Sequence, residues 1–278
     1  MNNYLWLIRR ELWERRSIWI VPGVISALAI LVSLFGKTQF YVLDSPGDIR
    51  VVGVGFLGAV SALFLIVMLL CVSLYYLDCL YDDRRDRSIL FWKSLPLSDT
   101  QTVFSKLLMG MLVFPLVYYF AAEVTALIAA LILSIRAHTM VGSALWQGDL
   151  WLQIQVLWLW VIVSTAIWFL PVIGWMLLVS AAVKRAPMLW SVLPFLVAFL
   201  LEYFLLRTHY VPWLLGRRLG GYFSAAFHGN LDPEKLGSLW QMFNIAGFFA
   251  SPQTWIGLAV GVGLIAATIQ VRMRRAEV

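Results

Sequence analysis

Long apolar stretches alternate with short charged segments along the whole chain. A helix needs roughly 20 apolar residues to cross a bilayer core of about 30 Å, and each stretch is close to or above that length. The pattern predicts six membrane-spanning helices, at about residues 18–36, 53–78, 104–134, 150–183, 187–206 and 252–271. We therefore expect an all-α, polytopic membrane protein that forms one transmembrane domain over residues 1–278.

The composition agrees with this class of protein. Hydrophobic residues make up 62% of the 278 residues and charged residues only 13%. The predicted spans take up more than half of the chain, which leaves little room for a soluble catalytic domain. Cys71 and Cys79 lie eight residues apart on one predicted helix, about 12 Å along its axis, so we expect reduced thiols rather than a disulfide.

The basic residues predict how the spans are oriented. Fourteen of the 21 Lys and Arg residues flank one end of the predicted helices, and seven flank the other end. Cytoplasmic flanks hold the excess of Lys and Arg in membrane proteins, so both termini are expected in the cytoplasm. The net charge of +6 is then explained by topology, and a nucleic-acid partner is not expected.

The segment before the first span, about residues 4–17, has the pattern of an amphipathic helix. Leu5, Ile8 and Leu12 recur at helical spacing. The polar surface is assigned to Arg10, Glu11, Arg15 and Arg16, among others. Such a helix lies in the membrane interface, with its arginines near anionic lipid head groups. The alternative is a simple cytoplasmic extension of the first span.

The largest predicted cytoplasmic segment joins the second and third spans, at about residues 79–103. Mixed charges come first, followed by an apolar stretch and a proline. Ser98 or Asp99 is a candidate N-cap for the next helix, in which Lys106 is expected at the interface. The composition favours an ordered docking surface, and a solvated loop is the alternative.

The last predicted outward loop, about residues 207–251, is long and rich in aromatic residues. Its composition predicts short helices that dip into the outer interface or partly re-enter the membrane. Aromatic side chains also form belts at membrane surfaces. The alternative for each individual aromatic residue is therefore a place in such a belt.

Two carboxylates, Glu123 and Glu202, lie within predicted spans. A charge in mid-bilayer is costly, so such residues usually face a protein interior or a water-filled path. Glu202 is five residues from Arg207 and so near the outer interface, where a structural role is at least as reasonable. Glu123 is deeper, and it either faces a conduit or has an internal partner.

The motifs of common enzymes are missing from the sequence. Gly36-Lys37-Thr38 resembles the end of a nucleotide-binding loop, but Leu31 stands where that loop needs a glycine. No zinc-protease or serine-hydrolase motif and no Cys/His ligand cluster is present. We therefore expect no catalytic site, cofactor or metal in this chain.

The layout resembles the membrane subunit of an ABC-2 type ABC exporter. The local signs are Arg10-Glu11-Leu12, followed by Arg15-Arg16, and the run from Tyr81 to Pro96. The resemblance covers the whole chain and says nothing about cargo. It implies an elbow helix before the first span, six spans, a coupling loop between the second and third spans, and extracytoplasmic helices before the sixth.

The resemblance also implies partners and a mechanism. Two permease copies would pair with two cytosolic ATPase subunits in a bacterial inner membrane, and ATP and Mg²⁺ would bind only to the ATPase. ATP would close the ATPase dimer and open the conduit outward by alternating access. The residues expected to contact the ATPase are Asp82, Arg84, Arg85, Asp86, Arg87, Phe91, Trp92, Pro96 and Asp99, with a minor contact at Lys184 and Arg185.

Two other functions stay open at the level of sequence. One is a membrane-embedded enzyme that acts on lipids through outward residues such as His209, His228 or Asp232. The other is a scaffold that binds an ATPase without transporting anything. The sequence does not distinguish a peptide, a lipid-linked molecule or a drug as cargo.

Overall fold

A computed structural model describes residues 3–36, 46–85, 98–137, 145–228 and 239–274. It confirms the all-α fold, since the only strand pairing in these ranges is a single bridge between Phe227 and Phe243. The α-helices are α1 (Asn3–Glu14), α2 (Ser17–Phe35), α3 (Pro46–Arg85), α4 (Asp99–Leu108), α5 (Phe114–Ala137), α6 (Gly148–Trp168), α7 (Leu170–Ala182), α8 (Pro187–Leu201), α9 (Tyr210–Ala226), α10 (Ile245–Ala250) and α11 (Pro252–Arg274).

Three short segments with other helical geometry complete these elements. A π-helical turn, Met109–Val113, joins α4 to α5, and a second one, Glu202–Leu206, extends α8. A 3-10 helix, Leu239–Met242, precedes α10. The turn at Met109–Val113 comes just before Pro115, whose missing N–H prevents a regular hydrogen bond to the carbonyl four residues earlier.

Six helical segments of the described chain are long and apolar enough to cross a membrane. They are Ser17–Phe35, Val51–Arg85, Asp99–Arg136, Gly148–Trp168, Pro187–Leu206 and Pro252–Arg274. The protein is therefore a multi-pass membrane protein. The 40 residues of α3 span about 60 Å, twice the thickness of a bilayer core, so α3 extends well beyond the hydrocarbon.

The predicted fourth span, residues 150–183, is two helices rather than one. Phe169 separates α6 from α7, and Pro171 supplies the reason, because it cannot donate the next helical hydrogen bond. Arg218 of α9 occupies the break. Its guanidinium donates to the carbonyls of Trp168 and Gln253 and lies 4.5 Å from the Trp168 ring centroid.

The core lies where α3, α5, α6 and α7 meet. Its largest buried side chains include Phe64, Tyr76, Phe114, Tyr118 and Trp158. The α7 and α11 helices pack closely, and α2 packs along α5. By contrast, most side chains of α8 are exposed on the surface of the single subunit, and Pro187 is the one residue of this helix that is buried.

Short helices are present before the last span, within the described part of residues 207–251. The α9 helix runs antiparallel to the end of α6, with Tyr222 hydrogen-bonded to Ser164 and Ala226 to Trp160. Phe248 of α10 completes a small aromatic cluster with Trp160, Trp168 and Tyr222. This segment is therefore packed on the bundle.

Candidate functional site at the basic end

Five helix ends meet at one end of the bundle, which we call the basic end. They are the end of α1, the last turns of α3, α7 and α11, and the first turns of α4. Most of the predicted docking residues that are described lie here. Ser98, one of the two predicted N-cap candidates, is the N-cap of α4. Its hydroxyl accepts from the Gln101 N–H, and the Gln101 side chain accepts from the Ser98 N–H.

Lys106 is the centre of the charges at the basic end. Its ammonium lies 2.7 Å from a carboxylate oxygen of Glu11 in α1 and 3.3 Å from one of Asp83 in α3. Lys106 and Glu11 are exposed by 1% and 2% respectively. The expectation of a polar surface was wrong for Glu11, which is buried. Lys106, expected at the membrane interface, has its side chain buried within the protein.

Arg272 ties the last helix to the same charges. Its guanidinium is 2.9 Å from Asp99 at the start of α4 and 3.4 Å from Asp83 at the end of α3. Glu11, Asp83, Asp99, Lys106 and Arg272 together form what we call the buried ion network. It joins α1, α3, α4 and α11.

The electrostatics of α1 follow from these neighbours. Burial raises the pKa of Glu11, but the charge and hydrogen bond of Lys106, with those of Arg10, outweigh it and hold the pKa below its ordinary value of 4.5. Burial also lowers the pKa of Arg15, but the Asp82 carboxylate, 2.8 Å away, outweighs burial and raises it. Both residues are therefore charged at neutral pH.

A second set of contacts joins α3 to the turn between α7 and α8. The Arg84 guanidinium donates to the carbonyls of Ser180 and Val183, the latter at 2.9 Å. The Ser180 hydroxyl also accepts from backbone N–H groups of Leu80 and Tyr81. Lys184 and Arg185, next to Val183, are exposed. The two regions predicted to contact the ATPase, one around Arg84 and the other at Lys184 and Arg185, thus lie side by side.

The predicted docking residues divide into three groups. Asp82, Arg84 and Asp99 bond within the chain, and Arg85 is exposed together with Lys184 and Arg185. Asp86, Arg87, Phe91, Trp92 and Pro96 lie outside the described residues, in 86–97. The α1 helix places Arg10 beside Glu11 and Glu14, Arg15 beside Asp82, and Arg16 in an exposed position.

Sequence analysis did not single out Asp83 or Arg272. Asp83 sits among other charges in the sequence, and only folding shows which carboxylate turns inward. The sequence does hold a signal for Glu11, because it lies four residues after Leu7 and three after Ile8 and so shares the helix face of buried Leu7 and half-buried Ile8.

The two predicted conduit residues occupy different environments. Glu202 accepts from the Thr208 hydroxyl at 2.8 Å and from the backbone N–H groups of Tyr210 and Val211. It therefore caps the start of α9, a structural role that accounts for its burial. Glu123 lies on α5, beside the Gln155 side chain of α6.

The residues considered for lipid chemistry do not converge. His209 and His228 flank opposite ends of α9, about 28 Å apart along the helix, and Asp232 lies outside the described residues. Across the described ranges, no group of three or more His, Cys, Asp or Glu residues is placed to hold a metal ion.

Comparisons with known proteins give no relative for this chain. No protein-family model, no curated protein and no solved structure matches it. The functional argument therefore depends on the geometry of the basic end and on the sequence pattern.

Proposed function

We propose that this chain is the membrane subunit of an ATP-driven exporter of the ABC-2 type. Two copies would form the substrate conduit and bind two cytosolic ATPase subunits. The observation that carries the proposal is the buried ion network, which holds α1, the end of the last span and both flanks of the 86–97 segment together.

The position of Asp83 and Asp99 is what a coupling loop requires. Asp83 precedes the 86–97 segment and Asp99 follows it, and both are bonded to Arg272. A force applied to the segment by a docked partner would then act on α3, α4 and α11 at once. A loosely attached loop would move without moving the spans.

The energy for transport would come from the partner. The sequence has no nucleotide-binding loop, so ATP hydrolysis is assigned to a separate chain. The exposed side chains of α8 offer an apolar surface for lipid or for the second copy.

The test replaces Asp86 to Leu97 with a polar linker of equal length. Residues 82–85 and Asp99 stay, because Asp82, Asp83, Arg84 and Asp99 form contacts within the chain. We expect the variant to insert with an unchanged melting temperature and to lose co-purification of an ATPase in mild detergent. The proposal fails if ATPase binding and export are unchanged, or if the purified chain alone hydrolyses ATP with contaminants excluded.

Single substitutions refine the same test. Truncation of an aromatic anchor in a docking surface often costs 2 kcal/mol or more, whereas an exposed charge usually contributes less than about 1 kcal/mol. Trp92→Ala should therefore weaken ATPase binding more than Arg85→Ala, its matched control. Arg84→Ala is unsuitable as a control, because Arg84 bonds the carbonyls of Ser180 and Val183.

A further inference from the structure

Glu123 lies halfway along the bundle, far from the basic end. Two residues after it, the hydroxyl group of Thr125 is 2.8 Å from that of Ser26. Ser26 is the tenth of the 19 residues of α2, one of the spanning helices. Glu123 is therefore level with the middle of a span, where an uncompensated carboxylate is most costly.

Two polar neighbours of Glu123 are hydrogen-bonded to each other. The Tyr119 hydroxyl donates to the side-chain oxygen of Gln155. The Gln155 side chain also lies next to the Glu123 carboxylate. Its amide N–H is a group that can donate to a carboxylate, and the carboxylate has lone pairs for a further donor.

Among the described residues, no Lys or Arg side chain pairs with Glu123. None of the ion pairs formed within the described ranges includes Glu123. Aromatic residues share its helix face: Tyr119 and Phe120 lie four and three residues before Glu123, and the Tyr119 ring is 5.2 Å from that of Phe120 and 5.9 Å from that of Trp158. Carboxylates and aromatic rings both attract cations.

The site is open at the surface of the subunit. Glu123 is partly exposed, and its neighbours Phe120 and Val124 are exposed by 61% and 55%. On a single subunit placed in a membrane, that surface would meet lipid tails. A molecule that reaches Glu123 from this side must carry its charge on an apolar body.

We propose that Glu123, Gln155 and Tyr119 bind the ammonium or guanidinium group of an amphipathic substrate that enters from the lipid. The assignment of this cation as cargo rests on the proposed export function. The cation donates to a carboxylate oxygen of Glu123 and lies against the Tyr119 ring, while its apolar part stays beside Phe120 and Val124. The charge of the Glu123 carboxylate is neutralised only when a cation is bound.

The experiment measures how a ligand protects Glu123 from a hydrophobic carbodiimide, which modifies carboxyl groups in apolar surroundings. The purified full chain in zwitterionic nanodiscs is treated with dicyclohexylcarbodiimide, and labelling of the Glu123 peptide is followed by mass spectrometry. Dodecylammonium should slow this labelling at least fivefold. Dodecanol, which has the same chain and no charge, should leave it unchanged.

Two matched variants test the role of the ring. Tyr119→Phe keeps the ring and removes only the donor to Gln155, so half-protection should occur within twofold of the wild-type concentration. Tyr119→Leu removes the ring, and half-protection should need about fivefold more dodecylammonium. Glu123→Gln identifies the labelled peptide by its loss.

Equal protection by dodecanol, or no protection by either compound, would overturn the site and leave a glutamate covered by lipid or by a second copy. The labelling measurement needs no ATPase, so it is independent of the co-purification test. If an ATPase co-purifies but dodecylammonium gives no protection, only the cation site is rejected. If dodecylammonium protects Glu123 but no ATPase co-purifies with the chain, only the exporter proposal is rejected.

Discussion

Lys106 shows why single charges in a membrane protein are hard to interpret from sequence. Its two partners, Glu11 and Asp83, lie 95 and 23 residues away along the chain. A lysine at the start of a span has the expected position of an interfacial anchor, and that was our prediction. The structure instead buries it between carboxylates from two other helices, which no local pattern specifies.

Replacement of Lys106 by Met should be strongly destabilising. It leaves two buried carboxylates without their shared cation, and loss of one partner from a buried pair typically costs about 3–5 kcal/mol. The free energy of unfolding in detergent measures this cost. Arg85→Ala, an exposed change close by, should stay within about 0.5 kcal/mol of the wild type. Adding Glu11→Gln should restore part of the loss, and an additive double mutant would argue against the pairing.

Acid should weaken the attachment of α1 through Glu11. Pairing holds the pKa of Glu11 in the folded protein below its ordinary value of 4.5, so Glu11 stabilises the fold above that pH. This contribution is lost as the pH falls below 4.5 toward the folded-state pKa. Melting temperatures between pH 7 and pH 3 should therefore fall less steeply in Glu11→Gln than in the wild type.

Glu14 is the matched control for this pH series. It lies on the same helix, but its side chain is half exposed, and burial raises its pKa. Glu14→Gln should therefore retain the acid-dependent loss of stability seen in the wild type. If the melting temperature depends less on pH in Glu14→Gln and remains strongly pH-dependent in Glu11→Gln, the acid-dependent loss of stability comes from Glu14 and not from Glu11.

At the scale of helices, the sequence predicted which elements exist better than where they end. The apolar run at 53–78 lies inside α3, which continues through charged residues to Arg85. Helical geometry does not stop where hydrophobicity stops, so hydropathy underestimates such helices. The break at Phe169 went unnoticed because the residues on both sides of Pro171 are equally apolar.

The seam between α7 and α11 gives a prediction for glycine. Gly257 and Gly261 form a small-residue motif, and both face neighbours within the chain: Arg218 beside Gly257 and Leu170 beside Gly261. An added Cβ at Gly261 would lie 2.7 Å from the Leu170 Cγ atom. Gly261→Ala should therefore cost about 1–3 kcal/mol through overpacking, measured as a lower melting temperature.

Gly263 supplies the comparison on the same helix. An added Cβ there meets nothing within 4 Å. Gly263→Ala should be neutral or slightly stabilising, because alanine has a higher helix propensity than glycine by up to about 1 kcal/mol. Similar losses for both variants would contradict close packing at Gly261 as the cause.

At the scale of the whole molecule, the contacts divide the helix ends into two groups. One group is the basic end, and the other includes Arg136 at the end of α5, which donates to the carbonyls of Ser33 and Gly36 at the end of α2. Charge counting assigned the flanks of the same helices to the same two sides. It could not reveal which charged side chains are buried inside the protein, because the positive-inside rule counts Lys and Arg residues without regard to their contacts.

The orientation of these ends can be measured by cysteine labelling. On a background without Cys71 and Cys79, Arg185→Cys should react with an impermeant maleimide only after the cells are permeabilised. His228→Cys, exposed at the other end of the molecule, should react in intact cells. Efficient labelling of position 185 in intact cells would reverse the proposed orientation, since Lys and Arg are enriched on the cytoplasmic side.

Ionic strength should act differently on the two faces of α1. Arg9 and Arg16 are exposed, so any attraction to anionic lipid head groups fades as the Debye length shrinks from about 10 Å at 0.1 M salt to about 3 Å at 1 M. The pair of Glu11 and Lys106 is shielded from solvent ions by burial. Concentrated salt should therefore release the helix from charged lipid while leaving it fixed to the bundle.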